Sequence, residues 1–385
     1  MTGNSLTMLA VGDLILEEPH GDYFLNLVAP ILKSGDIVIG QGEVVFTSRG
    51  VKMFVEIVNS PGCPPSNMGT LAHSGFNVIT LAGNHVWDLG TPGIEDTLAG
   101  LRNYGIATVG AGMNIDEARK PAIIERKETR IGFLNYNCVG LMGSWATQTK
   151  PGSAYVRIIT AYEMNIPNPG ATPDVYTFAE PRSLKAMICD IQKLRPLCDI
   201  LVVALHKGIL GSYKLAMYDQ QVSYAAIDAG ADLILGHHAH MLKGIELYKG
   251  KVIFHGLGRF VPAIAPVTEE ERKSQQSLFA VSLSGHSDQR NSTTGVARLA
   301  GDTQRDPASK WNIIAKCMID RGKISRVSYL PCLINEQRQP EVLKNDERGR
   351  QLFDFMDMIT GDAGLDTRYE WDGDEVMIHT DETAG

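Results

Sequence analysis

A short apolar run is followed by three histidines in Asp232-Leu233-Ile234-Leu235-Gly236-His237-His238-Ala239-His240. A short apolar run bounded by a glycine is typical of a buried β-strand. Side chains that follow such a strand lie at its carboxyl end, where open α/β sheets bind their ligands. The stretch therefore predicts a strand of an α/β protein with a functional site at its end.

The same arrangement, a strand with a polar side chain near its end, recurs upstream. Apolar runs predict strands at Leu6–Leu16, Asp36–Gly40, Phe76–Leu81 and Ile200–Leu205, and the polar residues near their ends are Asp13, Glu43, Asn84 with His85, and His206. Apolar residues at helical spacing predict helices at Tyr23–Lys33, Pro65–Ser74, Thr91–Tyr104, Arg182–Leu194, Asp219–Asp228 and Glu347–Ile359. This alternation predicts a layered α/β domain.

The chain is predicted to form one main domain over residues 1–342, followed by a C-terminal helix and an acidic tail over residues 343–385. Two stretches, 140–180 and 262–310, lack a periodic pattern, so we expect insertions or loops there. The first contains Trp145, Tyr155 and Tyr162, which would supply the aromatic contacts of a lid over an organic substrate.

The composition is that of an ordinary globular protein, since 44% of the 385 residues are hydrophobic and 21% are charged. A formal net charge of −8 disfavours a nucleic-acid partner. The amino-terminal stretch has no basic segment before its apolar residues, and no apolar window reaches the length of a membrane-spanning helix. We therefore expect a cytoplasmic protein without a membrane partner, and its six scattered cysteines fit reduced thiols.

Histidines are concentrated at the predicted strand ends, where five of the ten lie: His85, His206, His237, His238 and His240. Together with the nearby carboxylates and amide, they form the mixed nitrogen and oxygen donor set of Mn, Fe or Zn rather than that of Ca or Mg. The sequence therefore predicts a transition-metal site, with manganese preferred.

The spacing of these donors favours two divalent ions rather than one. His238 and His240 would reach different sides of a pair of cations about 3.5 to 4 Å apart. Glu43 would bridge the pair, because a carboxylate offers one oxygen to each ion, and Asn84 would add a neutral oxygen. His85 would donate a proton to the leaving group. Such a centre activates water near neutral pH and attracts anions, so it predicts hydrolysis of an anionic substrate.

Six short motifs resemble those of the CapA (poly-γ-glutamate capsule protein) family within the calcineurin-like metallophosphoesterase superfamily. They are Val11-Gly12-Asp13, Gly42-Glu43, Gly83-Asn84-His85 with Asp88-Leu89-Gly90, Leu205-His206-Lys207-Gly208, Gly236-His237-His238-Ala239-His240 and Gly256-Leu257-Gly258-Arg259-Phe260. The resemblance implies a four-layer αββα sandwich, two packed sheets flanked by helices, with a dinuclear centre at the strand ends. It also implies the roles of individual residues. One metal would be held by Asp13, Glu43 and His240, the other by Glu43, Asn84, His206 and His238, and His85 would be catalytic.

Three positions depart from the family pattern. The superfamily's Asp-x-His opening ends here in Ile15, so one ligand of the first metal is missing unless His20 replaces it. Arg259 stands where the family has Asn, and Lys207 where it has Trp, and both cations would bind an anionic substrate. The membrane anchor of capsule-synthesis members is not found in the sequence, which argues against a role with a surface polymer.

Three further residues each have two interpretations. Asp88 would either orient His85 through a hydrogen bond or cap the following helix. His237 would support the site or contact substrate, and His255 would face substrate or pack in the core.

The sequence thus predicts a hydrolase that acts on a small anionic organic molecule, either a phosphoester or an amide or other carboxylate derivative. The alternative is a non-catalytic accessory protein in poly-γ-glutamate or capsule polymer synthesis. A scaffold that uses its histidines only for stability is a third class. Each of these three classes of function is compatible with a homo-oligomer.

Overall fold

The computed structural model describes residues 5–53, 62–164, 173–262 and 307–379. Its strands, in chain order, are β1 (Leu6–Leu14), β2 (Ile37–Gly42), β3 (Val78–Thr80), β4 (Ala107–Val109), β5 (Ala111–Gly112), β6 (Ala122–Arg126), β7 (Thr129–Asn137), β8 (Gly152–Ser153), β9 (Ile158–Glu163), β10 (Asp174–Ala179), β11 (Ile200–Lys207), β12 (Leu233–His238), β13 (Leu242–Tyr248), β14 (Lys251–Leu257), β15 (Arg259–Val261), β16 (Trp311–Asp320), β17 (Lys323–Ile334), β18 (Pro340–Val342), β19 (Tyr369–Asp372) and β20 (Glu375–Ile378). Its α-helices are α1 (Gly21–Leu25), α2 (Ala29–Leu32), α3 (Asn67–His73), α4 (Gly90–Asn103), α5 (Ile115–Ala118), α6 (Pro181–Leu194), α7 (Met217–Ala229) and α8 (Glu347–Asp362).

Two large sheets contain most of the strands. The first sheet has the order β19-β20-β17-β16-β1-β2-β3-β4, with β15 beside β1 and β18 beside β17. The second sheet has the order β13-β14-β12-β11-β7-β6. Strands β1 to β4 are parallel in the first sheet, and β7, β11, β12 and β14 are parallel in the second. The carboxyl ends of the parallel strands in each sheet therefore meet at one edge.

The core between the two sheets is built by alternate side chains of their strands. Met8 and Ile39 from the first sheet belong to the same buried cluster as Phe133 and Val202 from the second. Side chains of neighbouring strand positions point to opposite faces, so each sheet also has an outer apolar face that must be covered.

Helices cover both outer faces. Leu71 of α3 and Leu101 of α4 pack with strand residues of the first sheet, and Ile191 of α6 and Val222 of α7 pack with those of the second. The layers are therefore helix, sheet, sheet and helix, which confirms the four-layer αββα sandwich. In the described part of the chain, no helix combines the length and the apolar character needed to cross a bilayer.

Three stretches differ from the sequence predictions. The helix expected at Tyr23–Lys33 is two short helices, because Pro30 lies in the first turn of α2 and has no N–H with which to continue a preceding helix. The stretch 140–180, expected as a loop, contains the two-stranded sheet β9–β10. The acidic tail contains β19 and β20, and β20 pairs with β17. Most of the stretch 262–310 lies outside the described residues.

Candidate metal centre

The predicted ligands come from both sheets and meet where the parallel strands end. Asp13 lies in β1, Glu43 follows β2, and Asn84 lies in the loop after β3. On the opposite sheet, His206 lies near the end of β11, and His238 ends β12. Residues more than 200 positions apart in the sequence are therefore neighbours, as the strand-end pattern predicts.

Two groups of potential ligand atoms share one carboxylate. The first group is Glu43, His206 and His238, the second is Asp13, Glu43 and His240, and the ligand atoms within each group lie within 4.8 Å of one another. His206 Nε2 is 3.7 Å from Glu43 Oε2, whereas His240 Nε2 is 3.4 Å from Glu43 Oε1. Each oxygen of Glu43 thus faces a different group, which is the arrangement of a carboxylate that bridges two cations.

Asn84 lies beside the first group. Its Oδ1 is 2.8 Å from His206 Nε2 and 3.2 Å from His238 Nδ1. The amide oxygen is therefore within reach of any ion held by these two imidazoles. Its position agrees with the neutral oxygen ligand that the motif implies.

Several of these buried atoms have no hydrogen-bond partner among the described residues. They include both carboxylate oxygens of Glu43, Oδ1 of Asp13 and Nε2 of His240. A buried polar atom without a partner costs free energy, so such atoms are rare in folded proteins. The two oxygens of Glu43 and Nε2 of His240 belong to the two groups of potential ligands, and divalent cations held there would satisfy these atoms.

The protonation of the site also suits cation binding. Burial lowers the pKa of His238 to about 3 and that of His240 to about 4, and it lowers the pKa of His206 well below its usual value. These imidazoles are therefore neutral near pH 7 and keep a lone pair for a metal. Burial and the neighbouring Asp13 raise the pKa of Glu43 well above its usual value. Two carboxylates enclosed this closely repel each other, and cations would relieve that repulsion.

His85 lies at the edge of the cluster and is oriented by Asp88. Its Nδ1 is 2.7 Å from Asp88 Oδ2, and its Nε2 is 3.9 Å from Glu43 Oε1. Burial opposes protonation of His85, but the hydrogen bond and charge of Asp88 outweigh it and raise the pKa to about 9. Asp88 does not cap α4, because the N-cap of that helix is Leu89. Its hydrogen bond to His85 agrees with the other interpretation, in which Asp88 orients the imidazole.

The loop that carries Asn84 and His85 is held from both sides. Asn135 of β7 accepts a hydrogen bond from the Ala82 N–H at 2.5 Å and donates one to the carbonyl of Ala204 at 3.1 Å, which links the two sheets beneath the site. Gly140 has a φ of 87°, and a Cβ there would lie 2.4 Å from the Cβ of Asn84. Asn135 was not among the residues predicted from the sequence, although a polar residue in an otherwise apolar predicted strand was a usable signal.

Arg259 and His237 are also brought to the cluster. Arg259 pairs with Asp13 in the register between β15 and β1. His237 Nδ1 is 3.3 Å from Asp13 Oδ1. His20, the alternative ligand, is exposed, and among the described residues it belongs to neither group of potential ligands.

The other two predicted substrate contacts, Lys207 and His255, do not reach the cluster. Lys207 follows His206 in β11, so its side chain points to the opposite face of the sheet, beneath α7. There its Nζ is 2.7 Å from His255 Nδ1, and His255 Nε2 is 2.7 Å from Glu246 Oε2. Lys207 and His255 are fully buried, and the structure places them in a charged network inside the protein rather than at a substrate site.

The chain is similar to proteins named for capsule and PGA biosynthesis. A model of the family described as bacterial capsule synthesis protein PGA_cap matches residues 5–263. The capsule biosynthesis protein CapA of Bacillus anthracis is 29% identical over 266 residues, which are 66% of this chain and 59% of that protein. The PGA biosynthesis protein CapA of Bacillus subtilis (strain 168) is 30% identical over 261 residues, 65% of this chain and 62% of that protein. The chain thus spans about three fifths of the length of these relatives.

Two further similarities are to a protein that matches a shorter stretch of the chain and to a solved structure of low sequence identity. A protein of Mycobacterium tuberculosis named a probable polyglutamine synthesis accessory protein is 32% identical over 201 residues, 51% of this chain and 48% of that protein. A protein of Staphylococcus aureus described as a 5′-nucleotidase, solved with alpha-ketoglutarate, is 12% identical with a TM-score of 0.43. That similarity covers 92% of this chain and 58% of the other.

Proposed function

The chain belongs to the bacterial capsule synthesis protein PGA_cap family, and we propose that it is a dinuclear metal-dependent hydrolase of an anionic organic substrate. The observation that carries this proposal is the sharing of Glu43 between two groups of buried ligand atoms. A site built only for stability needs no such shared carboxylate, and it would pair its buried polar atoms with protein groups.

The residues fit a pair of transition-metal ions, because Mn, Fe and Zn take mixed nitrogen and oxygen donors, and manganese is the ion that we propose. Asp13, Glu43 and His240 would hold one ion, and Glu43, Asn84, His206 and His238 would hold the other. Bound there, two divalent cations supply a water of lowered pKa and Lewis-acid stabilisation of the substrate's oxygen. The carboxylates carry two negative charges against the four positive charges of the ions, so the site attracts anions.

His85 would deliver the proton that the leaving group needs. Its Nδ1 is held by Asp88, so the proton available for transfer is on Nε2, the nitrogen nearer to Glu43. A positioned imidazole of this kind is the commonest general acid in enzymes. Asp88 acts through His85 and is a positioning residue.

Arg259 would bind the anionic part of the substrate. It lies next to Asp13, and its Nε is buried without a hydrogen-bond partner among the described residues. The fork of a guanidinium matches the geometry of both phosphate and carboxylate, so Arg259 fits both a phosphoester and a carboxylate-bearing amide. His237, in contact with Asp13, would hold that carboxylate in place.

A non-catalytic accessory role in capsule polymer synthesis is the second candidate. It is favoured by the names of the relatives, and by the buried Ile15 at the position where the superfamily has a metal-binding histidine. Such a protein would bind fewer than two ions and would not need an oriented His85.

A substrate panel with added Mn²⁺ tests the proposal. Phosphomonoesters, phosphodiesters and γ-glutamyl amides are offered to the wild type and to His85→Ala, and the metal content of both proteins is measured. We expect about two transition-metal ions per chain in both proteins and turnover that is lost only in the variant. Wild-type protein without bound ions, or equal turnover by both proteins, would reject the hydrolase.

A further inference from the structure

A pocket of about 360 Å³ lies beside the amino-terminal end of α6 and shares no lining residue with the metal centre. Its lining includes Trp145, Tyr155, Arg157 and Arg182. The segment that carries Trp145 is attached to the His85 loop, because Lys150 Nζ lies 4.0 Å over the ring of Trp87. The pocket is therefore built on the same insertion that borders the candidate active site.

One wall of the pocket is aromatic. Trp145 and Tyr155 stack with ring centroids 4.3 Å apart and an interplanar angle of 7°. Nε1 of Trp145 is buried and has no hydrogen-bond partner among the described residues. The wall therefore offers the ring surfaces, not the indole N–H, to a ligand.

The charge of the pocket is positive because only some of its arginines are neutralised. Arg119 forms hydrogen bonds to both oxygens of Asp190 at 2.6 and 2.8 Å, so this pair carries no net charge. Arg157 and Arg182 are exposed, and no carboxylate of the described residues forms an ion pair with either. Glu180 is the remaining acidic residue of the lining, which leaves a net charge of one positive unit.

Local backbone contacts bring the two arginines together at one rim. The Arg157 carbonyl accepts a hydrogen bond from the Glu180 N–H at 2.7 Å, and the Arg157 N–H donates to Ser183 Oγ at 3.1 Å. The carboxylate of Glu180 accepts from the N–H groups of Arg182 and Ser183. Glu180 is thus occupied in capping α6, and both guanidinium groups remain available to a ligand.

We propose that this pocket binds a carboxylate of an extended acidic chain, with the guanidinium groups of Arg157 and Arg182 as donors. The stacked rings would contact the methylene groups between successive carboxylates. As a substrate subsite this inference rests on the proposed hydrolase, because it supposes that the same chain reaches the metal centre. Binding at the pocket itself needs no metal.

Binding is measured by calorimetry with chelator present, which removes any contribution from the metal centre. The probes are a short oligomer of γ-linked glutamate, the oligomer of the same length in which γ-linked amides replace the carboxylates, and inorganic phosphate. We expect the acidic oligomer alone to bind. Truncation of Arg157 or Arg182 to Ala should weaken its affinity about tenfold or more, since each loses a charged hydrogen bond.

Two further variants make the test specific. Trp145→Leu removes the ring that stacks on Tyr155, and it should weaken binding less than either arginine variant. Arg102→Ala removes an exposed arginine on α4, which covers the other sheet, and should leave binding unchanged.

Three outcomes would overturn the inference: equal binding of the neutral oligomer, equal binding of phosphate, or no effect of the arginine variants. Loss of metal-dependent turnover with chelator-resistant binding intact would reject the hydrolase but not the pocket. Normal turnover without such binding would reject the pocket alone.

Discussion

Replacing Glu43 by Gln should remove the stabilisation that both metal ions give to the folded protein. Each ion at about 100 times its dissociation constant adds about 2.7 kcal/mol to the free energy of unfolding. Glu43 belongs to both groups of ligand atoms, so Glu43→Gln should lose about 5 kcal/mol of metal-dependent stabilisation. His206→Asn and His240→Asn each affect one group and should lose about half of this.

The size of the chain sets how far these changes in the free energy of unfolding shift the melting temperature. For 385 residues, an unfolding entropy of about 2.1 cal/mol/K per residue gives about 0.8 kcal/mol per degree. One ion should therefore raise the melting temperature by roughly 3 °C and two ions by roughly 6 °C.

The metal-free protein should respond to the same substitution in the opposite direction. Burial and Asp13 disfavour the charged form of Glu43, as the raised pKa of this carboxyl shows. A neutral Gln removes one of two enclosed negative charges, so Glu43→Gln without metal should be at least as stable as the wild type.

Thermal denaturation with Mn²⁺ and with chelator, together with metal analysis, checks these values. The expected ion content is two for the wild type, one for each histidine variant, and none for Glu43→Gln. Shared ligation by Glu43 is refuted if Glu43→Gln keeps the full Mn²⁺-dependent shift, or if either histidine variant loses both ions.

Three further predictions follow from single contacts. Asp88→Asn should lower kcat roughly 10- to 100-fold, because the imidazole of His85 is no longer held, with metal content unchanged; an unchanged rate in the panel assay would contradict the orienting role. Burial lowers the pKa of His255 from 6.5 to about 4, so between these pH values the unfolded chain binds more protons than the folded protein. The free energy of unfolding should therefore fall by up to roughly 3 kcal/mol as the pH drops through this window. Urea unfolding at several pH values should show that the free energy of unfolding of His255→Gln depends less steeply on pH than that of the wild type. An equal pH dependence would exclude this contribution of His255. Gly140 has a φ of 87°, and a Cβ there would lie 2.4 Å from the Cβ of Asn84, so Gly140→Ala should displace Asn84 and weaken Mn²⁺ binding in calorimetry, and wild-type affinity would show that the loop can move without cost.

Much of the metal centre could be predicted because strand ends have a fixed position in a parallel sheet. Asp13, Glu43 and His206 each lie at or just beyond the carboxyl end of such a strand, so the local apolar pattern was enough to expect them at one edge. The convergence is found in the structure, while the roles of these residues as ligands stay a prediction.

Lys207 shows where reasoning by proximity in sequence failed. It adjoins His206, but the period of a strand is two residues, so the two side chains lie on opposite faces of β11. The sequence did not show what covers the second face. The structure places Asp219 and His255 beside the Lys207 ammonium there, and Lys243 lies against the same Asp219.

Hydrophobic periodicity and turn residues act over a few neighbouring positions, so the local pattern was enough to predict the alternation of strands and helices, the layered fold and the residues that gather at the strand ends. The packed structure was needed to show that Asn135 joins the two sheets beneath the metal centre, that Lys207 and His255 contact each other away from it, and that Arg157 and Arg182 line one pocket. These relations depend on side-chain directions and distances between segments far apart in the chain, which are fixed only when the sheets and helices pack against one another.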